Sequence, residues 1–253
     1  MGIVNFSLEG KVALVAGGSR GIGRASALAL AEAGADVVVS SRKLADLEPV
    51  AEEIRARGRR GLALAAHIAK IEESKDLVEK VKAEFGRIDI LMNNAGTNPY
   101  FGPILDAEEW AWDVTMNVNL KGPFLLSQMV ARVMREHGGG SIINTASVGG
   151  LRPGQSQGIY SVTKAGLIML TKVMAAEWGE YNIRVNAIAP GVIKTRLSEA
   201  LWKEPAIGDA AARRTSLGRL GESEDIAGAV VYLASDASSY VTGDTIVISG
   251  GVV

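Results

Sequence analysis

Cysteine is absent from the 253 residues, and histidine occurs only as His67 and His137. Without a thiol there is no disulfide, no thiolate nucleophile and no zinc site of the Cys/His type, and so few histidines argue against a histidine-based triad. An excess of charge of one sign is missing too. Lys plus Arg number 27 against 28 for Asp plus Glu, so no global field draws nucleic acid or a membrane surface. No apolar run approaches about 18 residues, and no basic segment followed by an apolar core opens the chain, so neither a membrane span nor a signal peptide is expected. The remaining expectations are a soluble protein in the reducing cytoplasm whose partners are small molecules or copies of itself. A length of 253 residues with 47% hydrophobic and 22% charged residues suits one sizeable core, hence a single domain over 1–253.

What is present is an alternation. The apolar run Lys11–Ala16 leads into Gly17-Gly-Ser-Arg-Gly-Ile-Gly23 and a helical stretch that stops at Gly34. Strand, glycine loop and helix in that order let backbone approach a pyrophosphate at a helix N-terminus. The glycine spacing is not the usual dinucleotide fingerprint, and no Gly-Lys-Ser/Thr follows, which argues against a phosphate-transferring P-loop. A second strand, Asp36–Ser41, ends at Arg42-Lys43. Where a carboxylate would hold the ribose of NAD, serine and arginine stand instead, suiting the 2′-phosphate of NADP, although Arg42 reads equally as a solvated loop residue. Asp36, at the other end of that strand, reads as a turn residue.

Further along, a helix over 44–57, a strand over 61–67, a helix over 72–85 and a strand over 88–92 are expected. Asn93-Asn-Ala-Gly96 then either lines a ribose or forms a turn. A long helical region over 106–137 contains Asn117 and Asn119 in an apolar context, and Pro123 predicts an irregularity there because it lacks the helix amide. Buried asparagine needs partners; it either bonds to backbone or holds a water in a proton path. Strands over 141–145, 182–189 and 244–249 and a helix over 222–235 complete the rhythm. Residues 192–221 break it, and are expected to be a mobile substrate lid with short helices and Trp202 as its apolar contact. The sum is an α/β, single-domain, doubly wound Rossmann fold with a parallel seven-stranded sheet and its ligand at the strand C-terminal ends.

The chemistry centres on Ser147 to Lys164. On a helix over 159–178, Tyr160 and Lys164 project from one face, one turn apart. At roughly 5 Å and an effective dielectric of about 20, the ammonium would favour the phenolate by about 3 kcal/mol, or roughly 2 pK units. Tyrosine would then serve as an acid–base near neutrality. The bland alternative is a packed tyrosine beside a solvated lysine. Ser147, after an apolar run, is placed to donate to a substrate oxygen.

Gly17-x-x-x-Gly21-x-Gly23, Asn93-Asn-Ala-Gly96, Asn119, Ser147, Tyr160-x-x-x-Lys164 and Pro190-Gly191, in this order and spacing, resemble the short-chain dehydrogenase/reductase family over nearly the whole chain. The resemblance implies catalytic Asn119, Ser147, Tyr160 and Lys164, with Tyr160 as acid–base, Lys164 holding the nicotinamide ribose, Ser147 on the reacting oxygen and Asn119 supporting a water-linked proton path. It implies NADP(H) held by Gly17, Ser19, Arg20, Gly21, Ile22, Gly23, Ser41, Arg42, His67, Ile68, Asn94, Ala95, Gly96, Tyr160, Lys164, Pro190, Gly191, Ile193 and Thr195, with no metal. Ser40-Ser-Arg-Lys43, Asn98-Pro-Tyr-Phe-Gly102 and Gly191-Val-Ile-Lys-Thr195 resemble the NADPH-dependent carbonyl reductase branch related to the animal peroxisomal, tetrameric enzyme. A homotetramer is implied, while the C-terminal Gly-Val-Val lacks a peroxisomal address. Ala16, where the family often has threonine, and His67-Ile68, where it often has Asp-Val, are departures expected to loosen cofactor binding. The function implied is reversible, NADPH-dependent reduction of a ketone or aldehyde. The alternatives are a 3-oxoacyl-thioester reductase and, in another class, a non-catalytic cofactor-binding regulator.

Overall fold

The computed structural model describes residues 4–253. Short runs of small and branched apolar residues become seven strands: β1 (Val12–Ala16), β2 (Asp36–Ser41), β3 (Gly61–Ala65), β4 (Ile90–Asn93), β5 (Gly140–Thr145), β6 (Ile183–Pro190) and β7 (Thr245–Ile248). All pairings are parallel, in the order β3-β2-β1-β4-β5-β6-β7. Val15 pairs with Val39 on one side and Met92 on the other. The chain therefore steps outward from β1 to β3, then returns to β4 beside β1. That reversal opens a crevice at the C-terminal ends of β1 and β4.

Both faces of the sheet are covered, which is why its central strands are apolar without alternation. Val15, Val37, Val39 and Met92 pack on one face with α1 (Gly21–Glu32), α2 (Glu48–Ala56) and α8 (Glu224–Ala234). Leu14, Val38, Leu91 and Ile142 pack on the other with α3 (Ile71–Phe85), α5 (Gly122–Glu136) and α6 (Gly158–Trp178). Two short helices lie between these elements, α4 (Glu109–Met116) and α7 (Pro205–Arg213). At the sheet's opposite end, buried Asp89 accepts from the Val12 amide at 2.9 Å and from Arg87 Nε at 2.9 Å, tying β4 to β1.

Two expected helices are broken. The stretch 44–57 starts as a 3-10 turn, Leu44–Asp46, and restarts as α2 with Pro49 in its first turn, the place where a missing amide costs nothing. The stretch 106–137 becomes α4, a π turn at Asn117–Lys121, then α5. Pro123 cannot donate to the Asn119 carbonyl, so the α register fails there, and Gly122 donates to Asn117 one residue further back.

The expectation that nothing is long and apolar enough to span a membrane needs correcting. The stretch Gly158–Tyr181, which contains α6, passes that test by length and composition, but half of its apolar window is buried in the fold.

Candidate active site

The loop after β1 can form only with glycine at two positions. Gly17 has φ +90°, and a Cβ there would stand 2.5 Å from the Ala95 amide nitrogen. A Cβ on Gly23 would stand 2.0 Å from the Gly17 carbonyl oxygen, so this glycine lets α1 lie against the loop. The first turn of α1 has no side-chain cap, which leaves its amides directed into the crevice. Asn94 Nδ2 donates to the Gly17 carbonyl at 2.9 Å and joins the end of β4 to the same loop.

A single cleft of about 1660 Å³ runs from this loop to Tyr160. It is lined by Gly17, Ser19, Arg20, Gly21, Ile22, Ser41, Arg42, His67, Ile68, Asn94, Ala95, Gly96, Ser147, Tyr160, Lys164, Pro190, Gly191, Ile193 and Thr195. Two expected residues do not line it. Gly23 sits behind the loop, where its role is close packing. Asn119 is fully buried: its Oδ1 accepts from the Thr97 amide at 2.8 Å, while Nδ2 donates to the Thr97 carbonyl at 2.9 Å and to Thr163 Oγ1 at 3.2 Å. Its side chain is thus spent on clamping the loop after β4 to α6.

The end of the cleft beside β2, where the adenosine of a dinucleotide is expected, is lined by Arg20, Arg42, Lys43 and Asp46. Arg20 pairs with Asp46 at 3.2 Å, whereas Arg42 makes no ion pair among the described residues. Asp36, as expected, is structural, accepting from the Arg60 amide at 2.9 Å. The His67 ring nitrogen Nδ1 accepts from the Ala69 amide at 3.2 Å, which places the proton of the neutral ring on Nε2.

At the other end Lys164 is only 3% exposed and donates to the Thr145 carbonyl at 2.7 Å. Its Nζ lies 5.5 Å from the centre of the Tyr160 ring. Burial lowers the ammonium from its ordinary value to about 8. The same burial pushes the Tyr160 phenol up, and a hydrogen bond with Ser147 opposes it only partly. The shift is thus upward where the lysine was expected to bring it down, because desolvation of the phenol exceeds the opposing hydrogen bond with Ser147. Ser147 Oγ accepts from the Gly149 amide at 3.0 Å, which leaves its hydroxyl proton for the hydrogen bond with Tyr160.

Residues outside the expected site also line the cleft, with Phe101 from the Asn98–Gly102 stretch and Leu201 and Ile207 from the expected lid beside them. Phe101, Val114 and Val118 give one wall; Leu197, Leu201 and Ile207 give another; Arg152, Arg196 and Arg214 add charge, and Val252 closes a corner. Trp202 does not line it: its Nε1 donates to the Thr195 carbonyl at 3.1 Å, bracing the excursion from within. Only the hydrophobicity of 197–207 hinted at this wall, and it singled out the wrong side chain.

Residues 16–253 match a family model described as Enoyl-(Acyl carrier protein) reductase. The chain is 42% identical to pig dehydrogenase/reductase SDR family member 4 over 244 residues, covering 96% of this chain and 88% of that protein. It is 42% identical to the Caenorhabditis elegans protein of the same name over 250 residues, covering 96% and 95%. Its fold superposes with a TM-score of 0.93 on a short-chain type dehydrogenase/reductase from Mycobacterium marinum, at 39% identity and covering 98% and 97%. A gluconate 5-dehydrogenase from Burkholderia cenocepacia in complex with NADP and tartrate gives 0.94 at 38% identity, covering 98% and 97%. A Rossmann sheet, a glycine loop at its crossover and a serine, tyrosine and lysine in one cleft define a nicotinamide-dependent oxidoreductase. The chain belongs to the short-chain dehydrogenase/reductase family.

Proposed function

We propose that the protein is an NADPH-dependent reductase of ketones or aldehydes, reversible toward alcohol oxidation. The observation that carries this reading is the presence of Ser147, Tyr160 and Lys164 in the same cleft as the glycine loop and Arg42. The residues fit the cofactor. Uncapped amides of α1 and a backbone cradle at Gly17, which a Cβ would fill, suit a pyrophosphate; Arg42, without an ion pair, suits a 2′-phosphate. NADPH, when bound, supplies a hydride to the carbonyl carbon.

The chain's own groups manage the oxygen. The raised affinity of Tyr160 for its proton keeps the hydroxyl protonated until negative charge gathers on the carbonyl oxygen, and it then gives that proton up. Ser147 donates a hydrogen bond to the same oxygen and stabilises the charge. Lys164, at about 8 and 5.5 Å from the Tyr160 ring centre, keeps a positive charge beside the phenol near neutral pH. The Asn119 side chain is occupied, so its part in a proton path falls to its backbone carbonyl, which Pro123 deprives of an α-helical donor.

The description of the family model supports a second reading, a reductase of acyl thioesters. Steady-state rates with NADPH and with NADH, over a panel of free ketones and aldehydes beside 3-oxoacyl thioesters, test the proposal. Faster reduction of free carbonyls is the expected result; activity on thioesters alone would transfer the assignment to the second reading.

A further inference from the structure

We propose that the carbonyl substrate carries a carboxylate, bound by Arg152, Arg196 and Arg214. This rests on the reductase reading above and names its substrate class. The chain as a whole has a formal net charge of −1, yet the cleft is lined by a single carboxylate, Asp46. Asp46 lies at the adenosine end and is taken by Arg20.

Around the other end the three arginines line the cleft with no acid among the lining residues. Arg152 follows the turn after Ser147, and Arg196 and Arg214 bracket the segment that holds α7. None of the three makes an ion pair within 4.0 Å among the described residues. Their neighbours in sequence do: Lys194 pairs with Glu222 at 2.7 Å, Lys203 with Glu199 at 2.8 Å and Arg219 with Asp225 at 2.6 Å. Glu222, Glu199 and Asp225 are thus each held by a basic residue that does not line the cleft, although Glu199 also feels the charge of Arg196.

Unpaired guanidinium groups on the walls of one cavity focus a positive potential into it, and their planar forks match a carboxylate with two parallel hydrogen bonds. The same cleft also carries the apolar side chains Leu201, Ile207 and Phe101. The ligand chemistry that satisfies both is an oxo acid: an apolar body, a ketone or aldehyde directed at Tyr160, and a carboxylate at the far end.

The test compares 4-oxo-4-phenylbutanoate with its methyl ester, using NADPH and the intact protein. The expected result is a kcat/KM for the acid roughly tenfold or more above that for the ester at low salt, expressed mainly in KM, since the contact is a charge-assisted hydrogen bond. Raised ionic strength should compress the ratio because the arginines are exposed. Arg152→Gln, Arg196→Gln and Arg214→Gln should each lower the ratio, and the triple variant should bring it near one; retained NADPH binding and circular dichroism establish that the variants fold. An ester reduced as well as the acid by the unaltered protein, or a ratio that the triple variant leaves unmoved, overturns the carboxylate assignment while the reductase reading stands. A 3-oxobutanoyl thioester of coenzyme A that outpaces the acid also overturns it, because its charge sits on distant phosphates. Failure of acid, ester and every other carbonyl to oxidise NADPH removes the reductase reading, and this inference with it.

Discussion

Lys164 shows how burial resets a side chain's chemistry. Its folded-state value of about 8 lies below the ordinary 10.5, so between these values the unfolded chain binds more protons than the folded one. A depressed value means that this lysine's contribution to stability is present above about pH 10.5 and is lost as pH falls through about 8. Relative to Lys164→Met, the unfolding free energy of the unaltered protein should therefore rise between pH 8 and 10 by about 1 kcal/mol per pH unit, measured by denaturant titration. A flat difference would show that Lys164 keeps its ordinary affinity. Tyr160→Phe should lower turnover by roughly 10²–10⁴-fold while cofactor affinity, measured by calorimetry, holds, because only the transferable proton is removed. At the adenosine end, Arg42→Ala should weaken NADPH by roughly 10- to 150-fold and hardly affect NADH, the loss of one charge-assisted hydrogen bond. Arg42→Asp should go further by repelling the phosphate. Comparing kcat/KM for both cofactors at one ionic strength checks this, and an unchanged preference would make Arg42 a bystander. The positions of Ser147, Tyr160, Lys164 and the glycine loop were legible in the sequence because spacing along a helix or after a strand constrains direction. The titration of Tyr160 was not, since desolvation depends on every element that covers the phenol.

Among the elements, the excursion from Val192 to Gly221 is closed at its neck: the Lys194 amide donates to the Gly221 carbonyl at 2.9 Å, and the Gly221 amide to the Val192 carbonyl at 3.1 Å. Between these bonds, residues from Thr195 to Thr215, several of them on α7, line the cleft, Leu201 and Ile207 among them. A segment pinned at both ends and placed over a site is suited to act as a lid. Hydrogen exchange within 195–213 should slow when NADPH and a carbonyl analogue bind together; exchange that is unaffected would end the lid assignment. Strand and helix existence was readable from periodicity, and the irregularity near Pro123 from its missing amide. The break before α2 and the inward turn of Trp202 were not, because the first depends on where Pro49 falls in a helix turn and the second on a carbonyl that only the folded loop presents.

At the scale of the whole molecule, apolar side chains remain uncovered on two helices of one face. Trp110 and Trp112 on α4, and Val162, Met169 and Val173 on α6, are all more than one-third exposed, with Met169 at 59%. Exposed apolar side chains gathered on two packed helices are a candidate association site. We expect a homotetramer by light scattering at micromolar concentration, and Met169→Glu with Val173→Glu should shift it to smaller species; a monomeric unaltered protein would count against the expectation. The order of strands carries a different consequence, for the history of the chain rather than its assembly. The cleft takes lining from Gly17 through to Val252, and β1 lies beside β4, whose residues come more than 70 positions later. Such distant pairings form late, so a nascent chain that has made β1 to β3 possesses the glycine loop but no pocket behind it. The cleft is complete only when the last of its lining residues, Val252, is in place. A ligand that binds only the completed cleft then adds to the stability of the folded chain by mass action.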